Sequence, residues 1–455
     1  MKITIPFLLT VCMGFSGLQA QEHYAGLATS NRVGLLNANI NPAELVNLSN
    51  RFELNFMGFS ANVMNNKIGL SDIFSDKSLD KTLFQGSDAV NFRVDSEINW
   101  PGIAFRVHKW GFGIGARSFI KFNVIDADVH IGDAVSLSDI SNAINGNPTT
   151  VQTNYNQRMN GTVWSEVNLS ASRVVFEKGS HRLSAGGTLK LLYPGSYANI
   201  GVDQFKGTFV RDNSTVYLYN AHGLVNFSYS GNLASDFNNS NDYTKSAFGG
   251  LNGVAADFGV NYRWKNKDSR NYRLNAGFSV RNMGAMTFKD DNNKNTTYAL
   301  NIPNASPGFK GLDMNQFNNA KSLIEVEQQL LNSGYLTKVE SEKNFKVNLP
   351  AVINLYVDYR IFRVLYCSAF MQQKLNDDSQ NAQITAQNIY TLTPRLQLGY
   401  FELYTPLTQN EIYGFKAGLG LRLGGFYIGS NSALSMSGSS KQGDIYFGMR
   451  WGFLK

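Results

Sequence analysis

The chain has 455 residues, of which 43% are hydrophobic, 13% aromatic and only 16% charged. Soluble domains usually carry about 25% charged residues, so this composition is typical of a protein that exposes part of its surface to something other than water. The net charge of +7 is not gathered into a Lys/Arg block, which argues against a nucleic-acid partner.

Residues 1–20 have the pattern of a secretory signal peptide. Lys2 precedes an apolar stretch that ends in small residues, and we expect cleavage after Ala20. The apolar run is shorter than the roughly 20 residues that a spanning helix needs. Cleavage leaves Cys367 as the single cysteine, which excludes an internal disulfide. Because no second apolar run approaches that length, a membrane location requires a closed barrel of strands.

The segment 21–49 is rich in asparagine and lacks strand-like alternation. We predict that it forms a hatch inside a barrel, because wall side chains alone do not fill a wide barrel. The candidate hatch residues are Asn41, Pro42 and Ala43. A flexible periplasmic tail is the alternative. The apolar residues that count against a tail are Leu35, Leu36, Ile40 and Leu45.

Between residue 50 and the end of the chain, apolar and polar residues alternate with a period of two in a series of separate runs. In 253–264 the even positions are apolar, and the odd positions include Asp257 and Arg263. We predict that the apolar face meets lipid and the polar face lines the interior. The predicted strands are 50–63, 97–107, 111–123, 162–176, 181–193, 197–210, 214–230, 253–264, 271–282, 345–360, 363–374, 390–404, 411–430 and 443–453.

These strands predict an all-β protein, a transmembrane antiparallel barrel of about 14 strands. The segment 194–230 is ambiguous, and Gly424-Gly425 is either a kink or a hairpin. The count therefore stays open between about 12 and 16.

Short connections alternate with long ones, as in outer-membrane barrels with short periplasmic turns and long outer loops. The predicted turns lie near 108–111, 177–180, 211–213, 265–270, 361–362 and 405–410. The predicted loops lie near 64–96, 124–161, 231–252, 283–344 and 375–389. Trp110, Trp264 and Trp451 fall near the predicted periplasmic strand ends, where an aromatic girdle is expected.

The longest loop contains a predicted amphipathic helix over 315–334 that caps the mouth or folds into it. Leu323, Val326 and Leu330 have helical spacing, and Gly334 follows them. A shorter helix is predicted near 134–145.

Charged residues at polar positions of the strands are predicted to line the interior. The candidate wall residues are Arg117, Lys121, Glu166, Asp257, Arg263, Arg273, Arg281, Lys346, Asp358, Arg360, Arg395, Lys416, Arg422 and Arg450. One interpretation is a basic wall that attracts anionic groups. The other is a wall whose charges pair with one another and with the hatch backbone.

Support for catalysis or a cofactor is thin, and we expect a protein that is not an enzyme and has no cofactor. His222, on a predicted strand, is the only candidate for a catalytic base, and no Ser–His spacing supports it. Asp290 and Asp291 are candidate contacts for Ca²⁺, but they lack the regular Asp-x-Asp spacing of a Ca²⁺ loop, which favours a solvated loop. The chain has no Gly-rich Lys-Ser/Thr motif for a nucleotide.

Six stretches together resemble a family of Bacteroidota outer-membrane proteins labelled only as a domain of unknown function. They are NPAELVNLSNRFELNFMGFSANVMNNKIGL, WSEVNLSASRVVF, HRLSAGGTLKLL, VNLPAVINLYVDYR, TPR and GLGLRLGGFYIGS. The Asn41-Pro42-Ala43 motif is also similar to the long-chain fatty-acid transporter superfamily. That resemblance implies a 14-stranded barrel with an N-terminal hatch, and no specific activity.

We therefore expect a bacterial outer-membrane barrel for passive uptake or binding of a small, hydrophobic or amphipathic anionic molecule. Its partners would be outer-membrane lipid and that solute. The alternative is a structural or accessory protein that acts through its loops on a secretion or surface protein, without transport.

Overall fold

The structure is a computed structural model that describes residues 23–30, 32–69, 72, 84, 86–130, 148–234, 249–265, 272–436 and 440–453. In this part of the chain, 23 strands form one sheet, and no helix is long and apolar enough to cross a bilayer. The signal peptide, most of the turn at 265–270 and the helix predicted near 134–145 lie outside the described residues.

Fourteen strands, four of them interrupted, pair antiparallel in a closed ring. In ring order they are β1 (Phe52–Asn65), β2 with β3 (Val90–Asn99 and Gly102–Val107), β4 (Trp110–Ala127), β6 (Gln157–Lys178), the first part of β7 (His181–Asp212), β9 (Gly253–Lys265), β10 (Tyr272–Phe288), β14 with β15 (Phe345–Asn348 and Val352–Arg360), β16 (Leu365–Lys374), β17 (Ile389–Leu398), β18 with β19 (Phe401–Tyr404 and Leu407–Asn410), β20 with β21 (Gly414–Ala417 and Leu419–Leu423), β22 (Phe426–Ser430) and β23 (Gln442–Phe453). The ring closes where β23 pairs with β1. The predicted all-β barrel and its strand number are confirmed.

The remaining strands extend the wall beyond the ring at the end that carries the long loops. This outer sheet contains, in order, β5 (Thr149–Gln152), the last part of β7, β8 (Thr215–Ser230), β11 (Lys294–Ile302) and β13 (Leu336–Glu342), with the short β12 (Leu312–Asp313) on β8. The helices are α1 (Leu35–Ile40) and α2 (Leu323–Asn332), with 3₁₀ helices η1 (Pro42–Asn47), η2 (Gly231–Ala234), η3 (Met314–Asn319) and η4 (Ala433–Ser435).

The burial pattern of the ring is the reverse of that in a soluble sheet. Phe258 and Phe278 are 58% and 41% exposed, whereas Asp257 and Asn261 are each 1% exposed. The apolar face of 253–264 therefore points outward and its polar face points to the axis, as predicted.

Four strand assignments were wrong, and the two kinds of error cancel in the count. The segments 197–210 and 214–230 belong to the outer sheet, where β7 pairs with β8. Their apolar residues pack in a cluster that includes Phe209 and Leu218. Conversely, 390–404 and 411–430 each contain two ring strands joined by a two-residue turn.

The turns at these hairpins begin at Gly399 and Gly424, with φ of 58° and 59°, a conformation that favours glycine. The apolar residues at the even positions of 390–398 continue at Tyr400, so the alternation of the sequence does not indicate the turn at Gly399. The predicted turn at 405–410 was wrong, because Leu407–Asn410 is strand β19. The turn predicted near 211–213 exists, but it joins β7 to β8 at the far end of the outer sheet.

Helix α2 confirms the prediction of a helix in the longest loop. Ser322 caps it by accepting a hydrogen bond from the Glu325 backbone N–H. Leu323, Val326 and Leu330 pack on the apolar cluster of the outer sheet. The apolar face of the helix is therefore covered by strands β8 and β11.

Candidate functional site

The N-terminal segment 23–48 lies inside the ring and is mostly buried. Helix α1 leads directly into η1, and Asn41 between them caps η1 by accepting a hydrogen bond from the Ala43 backbone N–H at 3.0 Å. Pro42 occupies the first turn of η1, where its missing N–H costs no hydrogen bond. The local sequence thus accounts for the start of η1 at Pro42.

Asn41 and Glu44 attach this segment to the wall. Asn41 donates to the Val260 carbonyl at 2.9 Å. Glu44 accepts hydrogen bonds from Tyr356 at 2.6 Å and forms an ion pair with Arg263 at 3.0 Å. The anchor is therefore entirely polar, and each of its bonds crosses from the segment to a ring strand.

Three wall glycines make room for Asn41, Pro42 and Ala43. A Cβ on Gly186 would stand 2.7 Å from the Ala43 nitrogen, and one on Gly259 would stand closer still to the Asn41 side chain. A Cβ on Gly277 would stand 2.6 Å from the Asn41 amide nitrogen. Gly186 pairs with Gly259 across β7 and β9, so the glycines form a notch, which we name the glycine notch.

Buried tyrosines surround the rest of the segment. Tyr404 and Tyr446 are 1% and 0% exposed, and they belong to one cluster with Tyr24 and Leu36. The Tyr446 hydroxyl donates to the Ala25 carbonyl at 3.0 Å. These tyrosines and Glu44 are not among the residues predicted from the sequence. The signal available for Glu44 is that it follows Asn-Pro-Ala as a lone acid in an otherwise uncharged stretch.

Most of the predicted wall residues are buried at the polar face. Nine of them are at most 8% exposed: Arg117, Lys121, Glu166, Asp257, Arg263, Asp358, Arg395, Arg422 and Arg450. Arg281 is half-buried and lies 4.0 Å from Asp257.

These wall charges form ion pairs with one another. Arg395 contacts Asp358 at 2.5 Å and Glu402 at 3.3 Å. On the other side of the ring, Arg117 contacts Glu166 at 2.5 Å. The geometry therefore favours the interpretation of a mutually paired wall over that of an unpaired basic wall.

Arg273 does not line the interior. It is exposed on the outer face and its guanidinium lies 4.9 Å from the centre of the Trp264 ring. The register of β10 against β9 shifts between Tyr272 and Leu274. A bulge of this kind turns one residue to the opposite face, so a prediction from strict alternation places that residue on the wrong face.

Lys346 is also exposed, because the phase of alternation changes between β14 and β15. Phe345 and Val347 are buried in a cluster at the long-loop end, and Pro350 lies in the break before β15. Arg360 and Lys416 are half-buried.

A cavity of about 80 Å³ lies inside the ring, between α1 and the stacked rings of Phe119 and Trp164. Its lining combines ions and apolar groups. The charged lining residues are Glu97, Arg117, Lys121, Glu166 and Arg281, and the apolar ones include Leu36, Ile40, Leu349 and Val352. The lining of the cavity is therefore amphipathic.

A second cavity of about 20 Å³ borders the interruption between β2 and β3. Trp100 at this interruption lines it, and Asn39 of α1 lines both cavities. Asn39 donates to the Asn99 side chain at 3.1 Å. Asn39 of α1 and Arg117 of β4 thus border both spaces.

The histidines do not form a site open to a substrate. His222 is exposed on β8 of the outer sheet. His23, which was not predicted as a site residue, contacts Ser60 at 2.9 Å and Asp95 at 3.2 Å. Ser60 is 3% exposed and does not line the larger cavity, so this Ser–His pair does not face a space for a substrate. Asp290 and its neighbour Asp291 are exposed.

Solved structures similar to this chain include three bacterial barrels. The Pseudomonas putida toluene transporter TodX is 10% identical, with a TM-score of 0.43 over 92% of this chain and 94% of its own. The Ralstonia pickettii toluene transporter TbuX is 9% identical, with a TM-score of 0.39 over 92% of each chain. A Pseudomonas aeruginosa FadL homologue is 9% identical, with a TM-score of 0.44 over 95% of this chain and 99% of its own.

No curated protein matches the chain. Residues 42–431 match a family described as a family of unknown function, DUF5723. Since the match covers most of the sequence, from the η1 helix to the loop before β23, the chain belongs to this family.

Proposed function

We propose that this protein is an outer-membrane channel through which a small hydrophobic or amphipathic molecule passes passively, with residues 23–48 as its hatch. The outward apolar face of the ring suits acyl chains. The observation that carries the proposal is the larger cavity, which the N-terminal segment closes on one side and which combines apolar walls with paired ions. A solute gradient would supply the energy.

The way in which the hatch is attached to the wall supports the proposal that it can move. Its anchors at Asn41 and Glu44 are hydrogen bonds and an ion pair, and water can replace each of them when the segment moves. Such bonds contribute only about 0.5–1.5 kcal/mol each, or roughly 1.5–3 kcal/mol to a charged group. Displacement of the hatch is therefore compatible with an intact ring.

A reversible covalent lock tests this proposal. The Thr29 hydroxyl lies 3.1 Å from the Ser368 hydroxyl on β16, with both side chains buried, so cysteines at the two positions can form a disulfide. The lock is Thr29→Cys with Ser368→Cys, in a Cys367→Ser background that removes the native thiol. Oxidation should stop the entry of N-phenyl-1-naphthylamine into cells, and dithiothreitol should restore it.

The two single cysteine variants are the controls, because each carries one of the two packing changes and neither can form the lock. Entry of the probe at equal rates in the oxidised and reduced double variant would contradict a moving hatch. We propose no catalytic role and no cofactor, and a His222→Ala variant should leave probe entry unchanged.

A further inference from the structure

A group of cations lies at the short-turn end of neighbouring ring strands, from the β3–β4 turn to β10. We name this group the basic belt; its exposed members are Lys109, Arg173, Lys178 and Arg273, and Lys265 beside them is half-buried. Glu177 lies among them and pairs with Lys265. Neighbouring strands are about 4.8 Å apart, so the belt is about 20 Å wide.

The two arginines of the belt stack on tryptophans. The guanidinium of Arg173 lies 5.0 Å from the centre of the Trp110 ring, and that of Arg273 lies 4.9 Å from Trp264. Stacking holds a guanidinium by its face and leaves its N–H edge free to bind an anion. Within the described ranges, neither arginine pairs with a carboxylate.

Both arginines point away from the barrel axis. Arg173 lies on the same outward face as Leu169, and the bulge in β10 turns Arg273 to the face of Phe278. A partner that contacts them must therefore approach from the side of the wall, in the plane of the proposed membrane. This direction favours a lipid over a soluble periplasmic protein.

The belt differs from the other short-turn ends in its stacked arginines. At β22 and β23 the outward positions carry uncharged aromatic residues, namely Phe426, Trp451 and Phe453, and the exposed Arg51 and Arg363 lie at the short-turn ends of β1 and β16. Among the described residues, arginine stacks on tryptophan only in the belt. Tryptophan is common at the headgroup level of membrane barrels, but that preference does not account for the arginines stacked on it.

We propose that the basic belt binds anionic phospholipid headgroups in the leaflet next to the short turns. The lipid phosphate accepts hydrogen bonds from the free edges of Arg173 and Arg273, and Lys109 and Lys178 add charge. This proposal rests on the membrane location proposed above and is independent of hatch movement and transport.

The test measures lipid binding to the purified full-length protein. Native mass spectrometry in neutral detergent compares phosphatidylglycerol with phosphatidylcholine. The wild-type protein should retain phosphatidylglycerol preferentially. In Arg173→Gln with Arg273→Gln, affinity for phosphatidylglycerol should fall by roughly five-fold for each arginine, while Arg173→Lys with Arg273→Lys should keep most of it.

The matched control removes two exposed cations at the long-loop end, Lys338→Gln with Lys346→Gln, and should bind phosphatidylglycerol like the wild type. Migration in unheated SDS gels verifies that each variant has a folded barrel. Equal binding of both lipids by the wild type, or an equal loss in the control, would overturn the proposal. Binding of polyglutamate without preference for phosphatidylglycerol would also overturn it and would indicate an acidic protein.

Discussion

At the scale of single residues, the glycine notch decides whether the N-terminal segment fits inside the ring. Gly186 faces the backbone of Pro42 and Ala43, and backbone atoms cannot rotate aside as a side chain can. Its neighbour Gly187 points to the other face, where a Cβ would make an ordinary contact of 3.5 Å with the Asp257 carbonyl. Two adjacent glycines therefore have opposite tolerance for a methyl group.

Gly186→Ala should displace the N-terminal segment and raise the conductance of the protein in planar bilayers several-fold. The added methyl group would overlap backbone atoms, and overpacking of this kind costs about 1–3 kcal/mol. Gly187→Ala is the control and should conduct like the wild type. Unchanged conductance in Gly186→Ala, with a folded barrel, would argue against the segment as a plug.

The odd or even position of a residue in its strand, its parity, predicted most of the interior charges correctly. A bulge accounts for one exception and a break in a strand for another. Arg117 and Arg395 are buried as their positions predict. Arg273 lies next to the bulge of β10 and Lys346 precedes the break at Pro350. Parity holds only while the backbone keeps its register, and a single inserted residue reverses it.

At the scale of elements, helix α2 is held on the outer sheet by one buried carboxylate. Glu327 is 2% exposed and accepts hydrogen bonds from Tyr229 at 3.1 Å and Tyr298 at 2.7 Å. Lys294 of β11 pairs with it at 2.8 Å. The apolar spacing predicted the helix, but it gave no indication of this polar anchor on the packed face.

Alkaline pH should release α2. Burial first, and the charge of Glu327 second, raise the pKa of Tyr229 to about 12. Burial lowers the pKa of Lys294, but the hydrogen bond and charge of Glu327 outweigh it and the net direction is upward. Because both pKa values are higher in the folded state, their stabilisation is complete below about pH 10 and is lost as the pH rises towards about 12.

A spin label on Gln328→Cys, in the Cys367→Ser background, checks this release through its mobility. Mobility should rise between about pH 10 and 12. Glu327→Gln should raise it already at neutral pH, since lost bonds to a buried charge cost about 1.5–3 kcal/mol. Glu340→Gln, an exposed change on β13, is the control. A label that stays immobile up to pH 12 would contradict the polar anchor.

At the scale of the whole molecule, exposed apolar side chains of the ring and of the outer sheet have different surroundings. Phe258 is 58% exposed at the centre of β9, and Val339 is 61% exposed on β13. In the proposed membrane location, Phe258 meets acyl chains and Val339 meets water. The two residues therefore form a matched pair for a test of that location.

Phe258→Arg should destabilise the barrel by about 2–4 kcal/mol in lipid vesicles, since a charge at mid-bilayer loses its hydration. Val339→Arg should change stability by less than about 0.5 kcal/mol, because an exposed charge stays in water. Urea unfolding from vesicles, followed by the gel shift of the folded barrel, measures both. Equal effects would contradict the membrane placement.

The barrel, its inverted alternation and the helix in the longest loop could all be predicted from the amino-acid sequence. All three follow from periodicity, which depends on near neighbours in the chain. Periodicity does not show which strands close the ring. The alternation of 197–210 is compatible both with packing beneath a helix and with contact to lipid. Only the pairing of β7 with β8 places this segment in the outer sheet.

The contacts that build the candidate site also form only in the tertiary structure. Glu44 meets Tyr356 across 312 positions of the chain, and the glycine notch brings together Gly186 and Gly259 from separate strands. Such contacts join residues that no local pattern connects. The physical reason is that burial and pairing in a closed ring depend on the register between strands, which local periodicity does not specify.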